Sequence, residues 1–174
     1  MATWQIDQTH SEISFKVKHL VISTVSGKFT SFEGTAESEA ADFSDAKISF
    51  SADVDSITTG NEQRDGHLKS PDFFDAAGHP KMTFVSSSLT PKSGNEYLLK
   101  GDLTIRGTTK PVELSVEFGG IQNDFYGNTV AGFEINGKIN RQEFGLAWSA
   151  VTEAGGIVVS DEVKLHINVE LIRK

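Results

Sequence analysis

Histidine occurs five times, as His10, His19, His67, His79 and His166. No two of them have the i, i+4 spacing of a helical ligand pair, and neither HExxH nor His-x-His occurs, so the pattern does not write a metal site. Cysteine is absent, which removes thiol nucleophiles, disulfides and cysteine-bound metals. Gly-x-Ser-x-Gly, P-loop and dinucleotide fingerprints are missing too. The densest mixture of acid, base and cation is Asn61-Glu62-Gln63-Arg64-Asp65-Gly66-His67. Arg64, Asp65 and His67 could do acid–base work on a small molecule. In a helical loop, an Arg–Asp pair is more often a tie that fixes the loop against a sheet. No catalytic residue, metal or cofactor is expected.

Two arginines and a histidine suit another task. Arg141 continues the apolar face of Phe133, Ile135 and Ile139, so alternation aims it inward near a rim. An inward guanidinium needs an anionic partner, either a carboxylate or the phosphate of a ligand head group. Arg64, Arg141 and His19 are the candidates for such a polar end. A structural salt bridge is the competing reading for the arginines. His166 falls on a polar face, which makes it a surface residue.

The elements that would position these groups are strands. Ile13, Phe15 and Val17 alternate with polar neighbours, and so do further apolar sets in seven later segments: 27–38, 48–54, 82–84, 97–105, 112–118, 131–139 and 163–171. Period two over eight segments, each with one apolar and one polar face, is the mark of antiparallel sheet. Ser93-Gly94-Asn95, Arg106-Gly107-Thr108, Gly119-Gly120 and Ala154-Gly155-Gly156 supply turns between them. Short connections suit up-and-down neighbours, and eight long strands can close around one ligand. A sandwich with a solid core is the alternative. Gly101 and Gly137 on inward faces would leave room or permit sharp coiling. Between the third and fourth strands, residues 61–75 break the rhythm. Asn61 is an N-cap, and Ser70-Pro71 marks a second helix start. Two short helices there would bring Leu68, Phe73 and Phe74 to one barrel end, as a lid or as a plain plug.

The chain has 174 residues with net charge −8 and pI near 5.1, which fits one domain and argues against nucleic acid and anionic membrane surfaces as partners. No run is long and apolar enough to span a bilayer as a helix. Met1 to Asp7 carries no signal-peptide pattern, so the chain reads as cytoplasmic as written, or periplasmic if Met1 is an added start.

Several motifs together resemble the YceI-like, polyisoprenoid-binding family of lipocalin-like proteins. They are Asp7-x-x-His10-Ser11-x-Ile13-x-Phe15-x-Val17-x-His19, Gly27-x-Phe29-x-x-Phe32-x-Gly34 and Arg64-Asp65-x-His67-Leu68-x-Ser70-x-Asp72-Phe73-Phe74-Asp75. Pro80 follows, then Gly101-x-Leu103-Thr104-Ile105-Arg106-Gly107-x-Thr109-x-Pro111-Val112 and Arg141-x-x-Phe144-Gly145-Leu146. The resemblance runs from Trp4 to Ile172. It implies a lipocalin-like antiparallel barrel with a helical cap, binding of long prenyl or similar amphiphilic lipids inside, possible homodimers and no enzymatic activity. Many such proteins carry a signal peptide, which this sequence lacks. On this reading Phe15, Val17, Phe29, Phe50, Phe84, Leu103, Ile105, Phe133 and Ile135 line a tunnel that stores, carries or sequesters the lipid. An enzyme using Arg64, Asp65 and His67, and an interaction module with a filled core, are the rival readings.

Overall fold

The computed structural model describes residues 2–20, 22–146 and 159–174. In chain order the elements are β1 (Ala2–Ile6), β2 (Glu12–His19), β3 (Ser23–Phe29), β4 (Phe32–Ser38), β5 (Lys47–Asp53), β6 (Ile57–Thr58), α1 (Glu62–Lys69), β7 (Lys81–Ser93), β8 (Glu96–Ile105), β9 (Thr108–Asn123), β10 (Thr129–Asn140) and β11 (Val159–Arg173). Three barrel strands are each interrupted once. A 3₁₀ turn at Gln8–His10 separates β1 from β2, and Asp7 caps it by accepting from the Thr9 N–H at 3.0 Å. Thr30 and Ser31 separate β3 from β4, and a 3₁₀ turn at Val54–Ser56 separates β5 from β6.

Counted this way, the molecule is a closed eight-stranded antiparallel barrel with one short helix. Each position pairs with the next along the chain. The last strand closes the ring on both halves of the first: β11 meets β2 through Val163↔Val17 and Ile167↔Ile13, and β1 through Ile6↔Leu171 and Trp4↔Arg173. Sequence alternation located these strands because one face of each is buried and the other meets solvent. It did not find β1, whose five residues offer too few repeats to register.

The inward glycines behave differently from expectation. A Cβ on Gly101 would lie 2.4 Å from the Phe84 ring, and one on Gly137 would lie 2.3 Å from Leu114 Cδ2. The space is already taken by neighbouring side chains, so these glycines permit close packing across the sheet and leave no void.

Each barrel end has its own filling. At the end that holds the chain termini, the loop 39–46 carries Phe43 inward, 2% exposed, with ring centroids 5.0, 5.4 and 5.1 Å from Trp4, Phe118 and Phe133. Asp45 orders that loop by accepting from Ser38 Oγ at 2.6 Å and from the Glu39 N–H at 2.9 Å. The Tyr97 hydroxyl donates to the Asp42 carbonyl at 2.6 Å. At the other end sits the insert. Asn61 caps α1 by accepting from the Arg64 N–H at 3.0 Å, as its side chain suggests. The second helix does not form. The N–H groups of Phe74 and Ala76 turn back onto the carbonyls of Leu68 and Lys69 at 3.0 and 2.9 Å, and that of Asp75 reaches Ser70. The first two satisfy the last carbonyls of α1, and because Phe74 is turned back to Leu68 no i→i+4 ladder starts from the Ser70 carbonyl, which accepts from Phe73 and Asp75 instead.

Candidate functional site

An apolar cavity of about 230 Å³ runs inside the barrel. It reaches from Ile6, Phe43 and Leu171 near the termini to Val17, Leu68, Phe74 and Arg141 near the insert. Phe15 and Val17 enter it from β2, Phe29 from β3, Phe50 from β5 and Phe84 from β7. Leu103 and Ile105 enter from β8, Phe133 and Ile135 from β10. All nine positions stand on the wall because strand parity sends every second side chain to one face. They are core as well as wall: Ile105 is 2% exposed. A surface of this kind can gain free energy by burying hydrocarbon.

Among the described lining residues, one side chain carries a charge, that of Arg141. It is 3% exposed. Its Nε donates to the Ser160 carbonyl at 3.0 Å, Nη1 to Leu146 at 2.5 Å and Nη2 to Val159 at 3.2 Å, and Asp161 lies 3.4 Å from Nη2. The guanidinium also lies 5.9 Å from the centre of the Phe73 ring. Burial pushes its pKa down and the Asp161 charge pushes it back up, yet a guanidinium stays protonated throughout. In this geometry Arg141 clamps the 3₁₀ turn Arg141–Phe144 to the start of β11.

The other two head-group candidates stand off the wall. His19 ends β2 opposite Val159, partly exposed. Arg64 donates to Thr59, from Nε to the hydroxyl at 2.7 Å and from Nη2 to the carbonyl at 2.9 Å. Asp65 accepts from the same residue, from the Thr59 N–H at 2.8 Å and its hydroxyl at 2.6 Å. His67 pairs instead with Asp72 at 2.9 Å and stands edge-on to Phe73. Arg64 and Asp65 thus share Thr59 and tie α1 to the barrel rim, whereas His67 points away to Asp72.

Arg106, which the sequence offers only as part of a turn and a motif, makes contacts of its own. With Gly107 it forms the two-residue turn between β8 and β9, both at positive φ, 51° and 76°, the pattern of a type I′ hairpin. Its Nη1 donates to the carbonyls of Phe73 and Gly145 at 2.9 and 3.2 Å. One side chain thus joins the insert to the turn beyond Arg141. An arginine where asparagine is the usual choice was the available signal. Among the described residues, one group could hold a metal ion: Asp7, His10 and Glu170, with ligand atoms within 4.8 Å of one another. It lies on the outer surface, where His10 Nδ1 already meets Asp7 at 2.7 Å.

A family description, the YceI-like domain, matches residues 4–171. The chain belongs to the YceI-like family. A UPF0312 protein of Staphylococcus epidermidis is 38% identical over 171 residues, covering 98% of this chain and 97% of that protein. A UPF0312 protein of Staphylococcus aureus matches to the same extent. Among solved structures, BcnA of Burkholderia cenocepacia superposes with a TM-score of 0.82 at 26% identity, covering 95% of this chain and 98% of that one. The YceI protein of Campylobacter jejuni gives 0.76 at 34% identity over 90% of each chain. A polyisoprenoid binding domain from Saccharophagus degradans shares the fold, with a TM-score of 0.72 at 15% identity over 98% of each chain.

Proposed function

We propose that this YceI-like barrel binds a long isoprenoid or similar amphiphilic lipid in its interior, as a carrier, store or sequestering protein that does not turn the ligand over. The observation that carries the reading is the cavity itself, lined from end to end by apolar side chains with Arg141 as the charged exception among the described residues. The shared fold of the polyisoprenoid binding domain from Saccharophagus degradans supports the ligand class. Burial contributes about 0.8 kcal/mol per CH₂, so each five-carbon prenyl unit adds roughly 3–4 kcal/mol gross. A few units already approach the ceiling of about −18 to −21 kcal/mol for non-covalent affinity. Choice among ligands then rests on the width and length of the cavity, and apolar area cannot discriminate.

Native mass spectrometry of the purified chain, followed by solvent extraction, tests this. The expected result is a discrete added mass that extracts as an isoprenoid or another long amphiphile. A bare chain mass, unchanged after incubation with prenyl lipids, would sink the proposal and favour an interaction module. That second reading has its own observation. Phe125 and Tyr126 stand 104% and 88% exposed at the tip of the β9–β10 hairpin, where Asp124 fixes them by accepting from the N–H groups of Tyr126 and Asn128.

A further inference from the structure

The barrel wall has a seam that the ladders do not close. β9 and β10 are paired from Thr129↔Asn123 to Asn136↔Ser115, and the pairing stops there. Both strands continue for several residues. Thr108–Leu114 of β9 remains bonded to β8 on its other side, and Gly137–Asn140 of β10 remains bonded to β11. Two strand edges therefore diverge towards the insert end. At the apex, the Leu114 side chain lies over Gly137, in the space that a Cβ there would occupy. Pro111, which has no N–H to offer a neighbouring strand, lies on the diverging edge. Had the ladder continued, Glu113 would stand opposite Lys138; Glu113 instead pairs with Lys100 at 3.6 Å.

A groove of about 430 Å³ occupies this wedge on the outer side. Val112 and Ile139 belong to its walls and also to the walls of the interior cavity. Both are partly exposed, whereas Leu114 and Val116, further along the same face, are 6% and 4% exposed. Inside and outside are thus separated here by two aliphatic side chains on strand segments that the β9–β10 ladder does not join. Phe144, fully buried at the end of the Arg141–Phe144 turn, fills the wedge from below.

From this we infer that the β9–β10 seam is the portal through which ligand enters and leaves the interior. The inference rests on the lipid-binding reading and locates its route. Parting the seam costs packing around Phe144 and the Val112–Ile139 contact region but breaks no ladder hydrogen bond between β9 and β10. Opening along any paired stretch of the wall must break such bonds; the other unpaired edge, Ser23–Gly27 of β3, lies beside β6, which reaches only Lys28 and Phe29. The competing route lies under α1.

The test is stopped-flow exchange of N-phenylnaphthylamine, a neutral apolar fluorophore that Glu113, Glu143, Asp161 and Glu162 around the groove do not repel. Because the chain has no cysteine, paired substitutions can be bridged cleanly with a bismaleimide. Bridging Glu113→Cys with Lys138→Cys, both outward and exposed, is expected to slow association and dissociation together, by about tenfold, with the ratio of the two rates preserved. Each unbridged variant is its own reference for folding. Bridging Asp55→Cys with Lys69→Cys, a surface ion pair at 3.7 Å that joins α1 to the rim, is expected to leave both rates as they were. The reverse pattern, or an unaltered rate in the bridged seam, would overturn the portal while leaving the binding reading in place. Failure of the unaltered chain to bind the fluorophore would overturn the lipid-binding reading and the portal with it.

Discussion

Arg141 shows how one side chain can look like a ligand contact in sequence and act as a clamp in structure. Alternation aimed it correctly towards the interior, but parity says nothing about what the tip of a long side chain meets. Three backbone carbonyls and Asp161 meet it here. Arg141→Ala would remove the donor that the Leu146, Val159 and Ser160 carbonyls share, so a loss of about 3 kcal/mol in urea unfolding is expected. Affinity for a prenyl phosphate and for the matching alcohol should fall equally; a loss confined to the phosphate would instead make Arg141 a head-group contact. Asp7 and His10 carry the clearest pH signature. The hydrogen bond to Asp7, then the charges of Asp7 and Glu170, raise the His10 pKa above its usual value. Burial pushes Asp7 up, but bonds from His10 and Thr9 outweigh it and hold the carboxyl low. The His10 contribution is complete below its unfolded pKa of about 6.5 and fades as pH rises through the folded value. The Asp7 contribution is complete above about 3.9 and is lost as pH falls through its lowered value. The pair is therefore strongest in the acid window between these limits. An NMR titration should find His10 above its ordinary value and Asp7→Asn should bring it down; an ordinary value in the intact chain would remove the argument.

At the scale of elements, the legible parts were those with a repeat. The strands show repeated alternation, longest from β7 to β11, and the nine lining positions on β2, β3, β5, β7, β8 and β10 follow from that parity. Loop 39–46 has no period, so Phe43 gave no sign that it would enter the core, and it does so at a φ of 62° that a bulky residue rarely adopts. Packing against Trp4, Phe118 and Phe133 must hold it there. Phe43→Ala is expected to cost about 3–5 kcal/mol, the range for a buried aromatic truncated to a cavity. Phe125→Ala, at a fully exposed position, should stay within about 0.5 kcal/mol. Comparable losses for the two would mean that the loop does not seal the barrel as described. The second helix expected at Ser70 failed for a related reason: N-cap and proline rules are local, whereas the N–H groups of Phe74 and Ala76 were claimed by the last carbonyls of α1. The seam was equally hidden. Alternation continues unbroken through Val112 and Ile139, and only the pairing register reveals that the two strands have parted.

For the whole molecule, the up-and-down order makes nearly every ladder a pairing of neighbours in sequence. The exception is the closure, where β11 meets β1 and β2, and the Lys174 N–H donates to the Thr3 carbonyl at 2.7 Å. Those contacts join opposite ends of the chain, so their loop-closure entropy is the largest in the fold, although it grows only logarithmically with length. A barrel missing just this seal would already have its hairpins and much of its apolar interior assembled, but with two free edges exposed to other chains. Sealing is thus the step on which assembly waits, and the long-range share of the contacts sets its pace. With β1 and the end of β11 stitched side by side, the order of strands around the barrel is circular, and it would survive moving the break between these two strands to another exposed turn.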